Sequence, residues 1–378
     1  MMAVLTIILC FLYLVLVDSY IFGWLRTKEF KVKEIRELPF LSIIIPARNE
    51  EENIENTIKD IANQDYPFEK FEVILLDDAS TDDTLQIVEN LQLQKGFSLS
   101  IIRLKEDADI KSHKKRAIKI GIEKSKGEWI LTTDADCRRG KKWLSTVASF
   151  IKINNPYFIS ASVCFHEEKN FFEKMQSLEF ISLIGIGAAS IKNGMPNMCN
   201  GANLGFKKEI FYEVNGYEGF ENIASGDDEF LMHKIAKKHP SKIKFLKNKN
   251  AIVYTKAKVG INDFFQQRKR WVSKSSKYKN ISESIMIILV WLFHFLILST
   301  GIIGIFNEKF LYLFVFSFAI KFFFEMIFVI ILANYFGKLK YILTYLPASL
   351  LYVFYVVFIA FFANRGKYNW KGRDIKLN

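Results

Sequence analysis

The chain has 378 residues and a formal net charge of +12, and half of its residues are hydrophobic. A mean hydropathy of +0.11 is too apolar for an ordinary soluble protein, yet 24% of the residues are charged. The composition indicates a soluble part joined to a membrane part, and at ~150 residues per domain the length allows more than one domain. Much of the Lys and Arg flanks apolar segments, which favours membrane topology over phosphate binding and excludes nucleic acid as a partner.

Residues 1–24 form an apolar stretch that predicts a transmembrane anchor, because a spanning helix needs about 20 apolar residues. A cleaved signal peptide would begin with a basic region, and no Lys or Arg precedes Arg26. By the positive-inside rule, the basic cluster that follows predicts a cytosolic next domain and an outward N-terminus. The cluster comprises Arg26, Lys28, Lys31, Lys33 and Arg36.

Strand and helix signals alternate between residue 41 and about residue 254. Strands are predicted at 41–46, 71–78, 98–104 and 129–134, and helices at 50–64, 80–91 and 113–124. Such alternation predicts an α/β fold with a mostly parallel sheet and helices on both faces. Ligands bind such sheets at the carboxyl ends of the strands. Four acidic residues fall at those ends: Asp77, Asp78, Asp134 and Asp136.

After Lys279 the chain turns apolar again, and three further spanning helices are predicted at 285–306, 310–333 and 341–363. Lys321 and Glu325 lie four residues apart inside the second of these. Charges at that depth pair with one another or face the bundle, so we expect a structural pair rather than a role in lipid or substrate handling.

The side of the membrane for the C-terminal tail, 364–378, is left open by these patterns. Three helices after a cytosolic domain would put the tail outside, whereas its basic residues indicate the inside. Either one apolar segment is re-entrant, or a partly apolar stretch such as 180–191 enters the membrane. The basic residues of the tail are Arg365, Lys367, Lys371, Arg373 and Lys376.

The four cysteines are scattered and include no closely spaced pair, which argues against a zinc-thiolate site. Their arrangement gives no disulfide framework and agrees with a reducing compartment. Cys137 follows an acidic motif directly, and we expect it to be a small buried thiol. The others are Cys10, Cys164 and Cys199.

Asp134-Ala135-Asp136 ends the predicted strand 129–134. Two carboxylates at a strand end can face one hard cation, and Mg²⁺ and Mn²⁺ prefer oxygen ligands and bridge to phosphates. The segment 77–84 is acidic at another strand end and can accept hydrogen bonds from a base or a ribose. Its residues 80–83 are also expected to cap the following helix.

A basic cluster and a second acidic knot complete the candidate chemistry. Within the basic helix 113–124, Lys114 is the candidate to neutralise a diphosphate. In Asp227-Asp228, adjacent carboxylates raise each other's pKa, which suits a general base. His233 follows on a helix and is expected to be a surface or packing residue.

The segment 267–271 combines donors for phosphate, Gln267 and Arg270, with the indole of Trp271. Sugars pack their apolar faces on aromatic rings, and Trp offers the largest ring system. An interfacial tryptophan beside membrane-facing lysines explains the same pattern equally well.

These pieces, in this order, resemble the family-2 glycosyltransferases with a GT-A fold, a Rossmann-like α/β domain. The resemblance covers about residues 40–275, which we take as a cytosolic catalytic domain at 40–280, together with the membrane arrangement. The matching stretches are 45–50, 76–84, 133–136, 200–206, 214–217, 226–231 and 267–271. Each motif alone is modest, whereas the ordered set is highly specific.

The resemblance implies a role for each matching residue. Asp228 would be the base that deprotonates the acceptor hydroxyl in an inverting, in-line displacement. Asp136 would coordinate Mg²⁺ or Mn²⁺ on the donor diphosphate, and Trp271 and Asp227 would lie at the acceptor. The resemblance implies a UDP-sugar as the donor, which would contact Pro46, Arg48, Glu50, Asp78, Lys114, Asp134, Gln267 and Arg270.

Two departures from the family pattern bear on these roles. The family often has Glu-Asp where this chain has Asp227-Asp228, which makes Asp227 the less secure of the two. The usual Gly-Lys reads His113-Lys114 here, which bears on the role of Lys114.

The Q-x-x-R-W pattern occurs in processive polysaccharide synthases and in single-transfer lipid glycosyltransferases. One N-terminal and about three C-terminal helices are fewer than a typical polymer-secreting synthase has. The tail Trp370-Lys-Gly372-Arg373 resembles the W-x-G-R tail of the lipid-type enzymes. We therefore expect a multi-pass membrane enzyme with a lipid or glycan acceptor. The alternatives are a processive synthase and a non-catalytic membrane scaffold, which would have lost the acidic set.

Overall fold

The computed structural model describes residues 2–93, 96–107, 110–274, 281–362 and 367–376. Its helices are α1 Met2–Arg26, α2 Ile54–Ala62, α3 Thr84–Gln92, α4 His113–Lys124, α5 Trp143–Asn154, α6 Phe171–Lys192, α7 Lys208–Glu213, α8 Asp227–Lys238, α9 Ile261–Val272, α10 Ile281–Gly304, α11 Glu308–Phe336 and α12 Tyr345–Phe362. Its strands are β1 Leu41–Ala47, β2 Phe71–Asp77, β3 Ser98–Arg103, β4 Trp129–Thr132, β5 Arg138–Arg139, β6 Phe158–Ala161, β7 Val163–His166, β8 Leu204–Lys207, β9 Ile243–Leu246, β10 Val253–Lys256, β11 Lys367–Trp370 and β12 Arg373–Lys376. Short 3₁₀ helices lie at Phe68–Lys70, Pro240–Lys242, Lys249–Ala251 and Leu339–Thr344.

The chain divides into two compact units. The first, called the sheet unit, comprises Arg26–Glu167 and Ser190–Lys256. The second, called the helical unit, comprises Met1–Leu25, Glu168–Ala189 and Ala257–Asn378. Each unit is therefore assembled from segments that are distant in the sequence.

The sheet unit is built on a seven-stranded sheet in the order β3-β2-β1-β4-β8-β6-β9. Strands β3, β2, β1 and β4 are parallel neighbours, as the alternating pattern predicts. Strand β8 runs antiparallel to both β4 and β6, so the sheet is mostly but not wholly parallel. The predicted α/β class is confirmed. A smaller sheet in the order β5-β10-β7 lies in the same unit.

The central strands are buried on both faces, which explains their continuous apolar runs. All seven residues of β2 are buried. Helix α4 packs so closely on the sheet that a Cβ at Gly121 would lie 2.9 Å from Ile44 Cγ2 and 3.0 Å from Leu76 Cδ1. This contact holds α4 against β1 and β2, and His113 at the start of α4 lies 3.5 Å from Asp78 after β2, at the edge where ligands bind in such sheets.

Two helices begin later than predicted, because the loops before them bind each other. The predicted helices 50–64 and 80–91 start at Ile54 and Thr84. The Asn49 backbone N–H donates to Ser80 Oγ at 3.1 Å, and the Thr81 N–H donates to Asn49 Oδ1 at 2.9 Å. Of residues 80–83, which are expected to cap this helix, Asp82 accepts the Thr84 N–H through Oδ1 at 3.1 Å, whereas the N-cap residue Asp83 makes no side-chain cap hydrogen bond.

The helical unit contains four helices that are long and apolar enough to cross a membrane. They are Met2–Arg26, Glu283–Gly304, Glu308–Phe336 and Leu339–Phe361, with hydropathy between 2.1 and 2.4. These helices coincide with the four predicted spans. Helix α6, which includes the stretch 180–191, lies largely in the same unit, and its entry into a membrane stays a prediction. Of the predicted basic tail, Arg365 lies outside the described residues.

The expected pair inside α11 is present. Lys321 is fully buried, and its Nζ lies 2.8 Å from Glu325 Oε2 and 3.0 Å from Ser349 Oγ of α12. Glu325 also accepts hydrogen bonds from the hydroxyls of Tyr13 in α1 and Tyr345 in α12. The pair therefore holds three of the four apolar helices together.

Candidate active site

The loop Asp134-Ala135-Asp136 leaves the end of β4 and is held from behind by two buried side chains. The Thr57 hydroxyl lies 2.7 Å from the carbonyl oxygen of Ala135 and 2.9 Å from that of Cys137. The Arg139 guanidinium donates to Thr133 Oγ1 at 2.9 Å and to the Cys137 carbonyl at 3.2 Å. Both carboxylates are therefore presented by a backbone that is fixed on its inner side.

Lys114, in the first turn of α4, reaches across to Asp134. Its Nζ lies 2.7 Å from Asp134 Oδ1 and 3.5 Å from Asp227 Oδ2. Burial would lower the pKa of Lys114, but Asp134, Asp227 and Asp228 together raise it above its ordinary value. The ammonium group is therefore charged at neutral pH, and it links the loop after β4 to the start of α8.

Two backbone N–H groups orient the Asp228 carboxylate. Its Oδ2 accepts the Gly201 N–H at 2.8 Å, and its Oδ1 accepts the Glu229 N–H at 2.8 Å. Each carboxylate oxygen can accept more than one hydrogen bond, so these two backbone contacts do not by themselves prevent binding of a ligand hydroxyl. The position in the first turn of α8 also stabilises the negative charge through the helix dipole.

Gly201 lies at the centre of this cluster. A Cβ there would lie 3.2 Å from Asp227 Oδ2, 3.3 Å from Lys114 Nζ and 3.6 Å from Asp228 Oδ2. The Thr132 hydroxyl of β4 donates to the Gly201 carbonyl at 3.0 Å. Lys114 and the Asp227-Asp228 pair, which are far apart in sequence, therefore converge around one glycine, and Asp134 joins them through its ion pair with Lys114.

Asp78 follows β2 and is 4% exposed. Its Oδ1 lies 3.5 Å from Nδ1 of His113, the residue before Lys114. The Arg48 guanidinium donates to the carbonyls of Asp78 and Ala79 at 2.6 Å and 2.8 Å. Arg48 thus shapes the turn that carries Asp78, and its predicted contact with a donor stays a prediction.

Pro46 and Glu50 flank the same edge of the sheet. Pro46 lies in β1 opposite Leu76 of β2. The Glu50 N–H donates to Thr84 Oγ1 at 2.7 Å, and Glu50 Oε2 accepts from Asn53 Nδ2 at 3.0 Å. Glu50 therefore ties the loop after Arg48 to α2 and α3. The predicted contacts of Pro46 and Glu50 with the nucleotide-sugar stay predictions.

Asp136 makes weaker contacts than Asp134. The Thr255 hydroxyl of β10 lies 3.3 Å from its Oδ2, and Cys137 Sγ lies 3.6 Å from its Oδ1. Cys137 is fully buried, as expected, and burial, then Asp136 and Asp134, raises the pKa of its thiol well above its ordinary value. The thiol is therefore neutral and unsuited to binding a metal as thiolate.

Within the described part of the chain, no group of three or more His, Cys, Asp and Glu side chains could hold a metal ion. One or two carboxylates nevertheless suffice for Mg²⁺ or Mn²⁺ where water and substrate phosphates supply the other oxygens. Asp136, with Asp134 beside it, matches such a donor set. The residues present therefore fit a cation that arrives with a diphosphate.

The remaining predicted residues lie in the helical unit. Gln267, Arg270 and Trp271 belong to α9, and the Trp271 ring stacks on Phe180 with centroids 6.0 Å apart. Their predicted contacts with donor and acceptor stay predictions. His233, in the sheet unit, lies with Nε2 3.3 Å from the Asn197 carbonyl, as expected of a packing residue.

Arg268 was not anticipated by the sequence motif. It is 1% exposed, and it binds Glu179 of α6 through Nε at 3.1 Å and a terminal nitrogen at 2.5 Å. Its guanidinium also donates to Gln267 Oε1 at 2.7 Å and lies 4.2 Å from the Trp271 ring centroid. The spacing of residues 264, 268 and 271 on one helix face is the signal that could have revealed it.

Comparison with known families decides the class. Residues 42–214 match the family described as glycosyl transferase family 2, and residues 129–363 match glycosyl transferase family group 2. The second match covers more than half of the chain. The chain is a family-2 glycosyltransferase.

Relatives with assigned names agree with this class. The glycosyltransferase is 33% identical over 202 residues to glycosyltransferase AglE of Haloferax volcanii, across 50% of this chain and 59% of AglE. It is 35% identical over 96 residues to the dolichyl N-acetyl-α-D-glucosaminyl phosphate 3-β-D-2,3-diacetamido-2,3-dideoxy-β-D-glucuronosyltransferase of Methanococcus voltae. That match covers 24% of this chain and 27% of the relative. The chain thus spans less than two thirds of either relative.

A solved structure supports the GT-A fold of the glycosyltransferase. The mannosyltransferase PcManGT of Pyrobaculum calidifontis, in complex with GDP-Man and Mn²⁺, aligns with a TM-score of 0.53 and 17% identity. The alignment covers 94% of this chain and 99% of that protein. At this identity the likeness concerns the fold, and the ligands named belong to the mannosyltransferase.

Proposed function

We propose that this glycosyltransferase moves a sugar, with inversion, from a UDP-sugar to a lipid-type acceptor at a membrane. The convergence of Lys114, Asp227 and Asp228 around Gly201, with Asp134 paired to Lys114, is the observation that carries the proposal. It places the Lys114 ammonium, which can bind phosphate, close to the Asp228 carboxylate, which can act as a base. Those are the two groups that an in-line transfer from a nucleotide-sugar requires.

On the donor side, Asp78 and His113 lie beside each other at the strand ends, where the nucleoside of a UDP-sugar would bind. The buried position of Asp78 favours hydrogen bonds to a base or a ribose over contact with water. Lys114 would then exchange its contacts with Asp134 and Asp227 for contacts with the diphosphate. That exchange would leave Asp134 to support the nucleotide or the sugar.

Asp136 would hold the divalent cation, Mg²⁺ or Mn²⁺, together with the diphosphate oxygens. A bound cation supplies charge stabilisation for the UDP leaving group. Thr255 keeps the Asp136 carboxylate aligned through its hydroxyl. Thr57 and Arg139 hold the backbone on either side of Asp136 in place.

Asp228 would accept the proton of the acceptor hydroxyl as that oxygen attacks the anomeric carbon. The bond from the anomeric carbon to the diphosphate breaks in the same step, so no covalent enzyme intermediate is needed. The two backbone N–H groups on Asp228 fix its direction before the acceptor arrives. Asp227, at 3.5 Å from Lys114, would lie beside the acceptor.

A lipid-type acceptor is supported by the four apolar helices and by the name of the Methanococcus voltae relative, which acts on a dolichyl-linked sugar phosphate. We infer that the enzyme spans the membrane several times, with the catalytic domain, 40–280, in the cytosol. Gln267, Arg270 and Trp271 would approach the diphosphate and the acceptor from α9.

Product analysis tests this function. Purified full-length protein is incubated with a panel of UDP- and GDP-sugars, Mg²⁺ or Mn²⁺, and a membrane lipid extract. We expect UDP-dependent formation of a glycolipid carrying one added sugar. Formation of long polysaccharide would contradict the lipid acceptor and show a processive synthase instead. Turnover with GDP-sugars alone would contradict the UDP-sugar donor. In a parallel assay, Asp228→Asn is expected to bind the nucleotide normally and to stop transfer.

A further inference from the structure

The helical unit contains a cleft of about 410 Å³ between the start of α6 and the 3₁₀ helix Leu339–Thr344. Its wall includes Lys169 and Lys174 from one side and Lys340 and Tyr341 from the other. The 3₁₀ helix follows the end of α11 and leads directly into α12. The cleft therefore lies where the chain turns between two apolar spans.

Three ammonium groups converge on the Tyr341 ring. The Nζ atoms of Lys174, Lys338 and Lys340 lie 5.9, 5.3 and 5.2 Å from the ring centroid. Like charges gathered around one ring repel each other, and an anion bound among them would relieve that repulsion. Attraction to the ring face offsets only part of that repulsion, because a cation–π contact at an exposed site is worth ~0.5–1 kcal/mol.

The cleft's own carboxylate neutralises one lysine of the three. Glu168 accepts from Lys338 Nζ at 2.7 Å and 2.9 Å, from Ser177 Oγ at 2.6 Å and from the Tyr341 hydroxyl at 3.1 Å. Within the described residues, Lys174 and Lys340 have no carboxylate partner. Their two charges are left facing the cleft, and the N-terminal end of α6 adds the positive end of a helix dipole.

Apolar side chains surround the charged cleft. Phe171, which lines it, is 52% exposed, and Leu343, beside it in the 3₁₀ helix, is 87% exposed. Leu339 is 43% exposed. A free inorganic anion gains nothing from contact with these apolar side chains, whereas a lipid presents an anionic headgroup and acyl chains together. Basic pockets between spanning helices bind anionic headgroups for this reason.

We propose that this cleft binds the phosphate-bearing headgroup of an anionic membrane lipid. Lys174 and Lys340 contact the phosphate, Lys169 lies at the rim, and Phe171 and Leu343 pack against the acyl chains. Tyr341 anchors the site at the level of the headgroups, where tyrosine is enriched in membrane proteins. The proposal does not depend on the transferase chemistry, because none of these residues belongs to the candidate active site.

Native mass spectrometry of the full-length protein in detergent tests the site, with phosphatidylglycerol as the probe and zwitterionic phosphatidylcholine as the reference lipid. We expect phosphatidylglycerol to bind more tightly than phosphatidylcholine. Lys174→Gln and Lys340→Gln should each weaken that binding about fivefold. Lys174→Arg and Lys340→Arg, which keep the charge, should retain it.

Lys309→Gln is the matched control, because it removes the same charge from an exposed position at the other end of α11. Equal binding of phosphatidylglycerol by all the glutamine variants would overturn the proposal. Competition by millimolar inorganic phosphate, with an affinity equal to that of the lipid, would also overturn it in favour of a free phosphate ligand. Since no nucleotide-sugar is present, a failure here leaves the proposed transfer reaction untouched.

Discussion

Lys114 Nζ and Asp134 Oδ1 form an ion pair of 2.7 Å that ties the first turn of α4 to the loop after β4. The same ammonium lies 3.5 Å from Asp227, so one lysine keeps carboxylates from two separate elements close together. A diphosphate would compete for this lysine, and the carboxylates it releases would face the sugar and the acceptor. The pair thus couples donor binding to the geometry of the base.

Replacing Lys114 tests this coupling. Lys114→Ala is expected to lower kcat/KM for the nucleotide-sugar about 10- to 100-fold, since a hydrogen bond to a charged group is worth ~1.5–3 kcal/mol. Lys114→Arg should retain more activity than Lys114→Ala. Steady-state kinetics measure the effect, and Lys119→Ala, on an exposed position of the same helix, is the control. Equal kinetics for Lys114→Ala and the control would contradict the role.

The metal role of Asp136 predicts a loss that added cation cannot repair. Asp136→Ala should abolish metal-dependent turnover at every Mn²⁺ and Mg²⁺ concentration, because the protein ligand of the cation is gone. Titration of activity with each metal, and thermal shift with UDP, measure the effect. The exposed Asp65, changed to alanine, should titrate as the wild type does. Normal turnover of Asp136→Ala would move the metal to other residues.

Thr57→Val removes the hydroxyl behind the acidic loop without changing the side-chain shape. The single hydroxyl proton is shared between the carbonyls of Ala135 and Cys137, and the Cys137 carbonyl keeps its bond from Arg139. We expect destabilisation by ~1–3 kcal/mol and weaker metal dependence of activity. Thermal unfolding and metal titration measure the two effects.

Thr146→Val is its matched control. Thr146 is equally buried, and its hydroxyl has no hydrogen-bond partner in the described part of the chain, so this change should not destabilise the protein. If Thr57→Val and Thr146→Val unfold alike, the loop does not depend on the Thr57 hydroxyl.

Arg268 is expected to be a positioning residue. Arg268→Met alone leaves Glu179 without its partner and should destabilise the protein by ~3–5 kcal/mol. The double change Arg268→Met with Glu179→Met should recover thermal stability but not kcat, because Gln267 and Trp271 lose their contact. A purely structural role for Arg268 would restore both stability and kcat in the double variant.

Glu168 gives a pH dependence of known sign. Burial opposes ionisation, but hydrogen bonds from Lys338 and Ser177 hold the pKa of Glu168 below its ordinary value of 4.5. A carboxylate whose pKa is lowered by folding stabilises the folded protein at pH values above its ordinary pKa. That stabilisation is lost as the pH falls through the lowered pKa. The stability difference between wild type and Glu168→Gln should therefore be full at pH 7 and shrink below about pH 4.5.

Thermal unfolding between pH 3 and pH 7 measures this difference. Glu52→Gln, at an exposed position without an ion-pair partner among the described residues, should differ little from wild type at every pH. A Glu168→Gln difference that stays constant with pH would exclude this contribution.

Much of the sheet and its ligand-binding edge is predictable from sequence. The central parallel strands are continuous apolar runs, so their carboxyl ends, and with them Asp78, Asp134 and Asp136, could be assigned to one edge. Antiparallel β8 was not foreseen, because four residues, Leu204–Lys207, carry no signal of direction. The late starts of α2 and α3 depend on a contact between two loops, which local propensity cannot register.

The candidate site was predicted as a set of residues, without its internal contacts. Motif order predicts Lys114, Asp134 and Asp228, but only the fold brings Lys114 and Asp228 to Gly201 and pairs Asp134 with Lys114. Thr57 and Arg139 behind the loop, and Arg268 beside Trp271, were missed because their roles come from burial. The sequence does not distinguish buried Arg268 from an exposed arginine, because its partner Glu179 lies 89 residues away.

The hydrogen bond from Tyr13 to Glu325 joins residues 312 positions apart, and Tyr345 completes the same contact. During synthesis α1 is thus made well before its buried partners exist. The four parallel strands, by contrast, are complete once residue 132 has been made. The helical unit can therefore assemble fully only after nearly the whole polypeptide has been made, so a C-terminal truncation ahead of Glu325 should leave α1 without these partners.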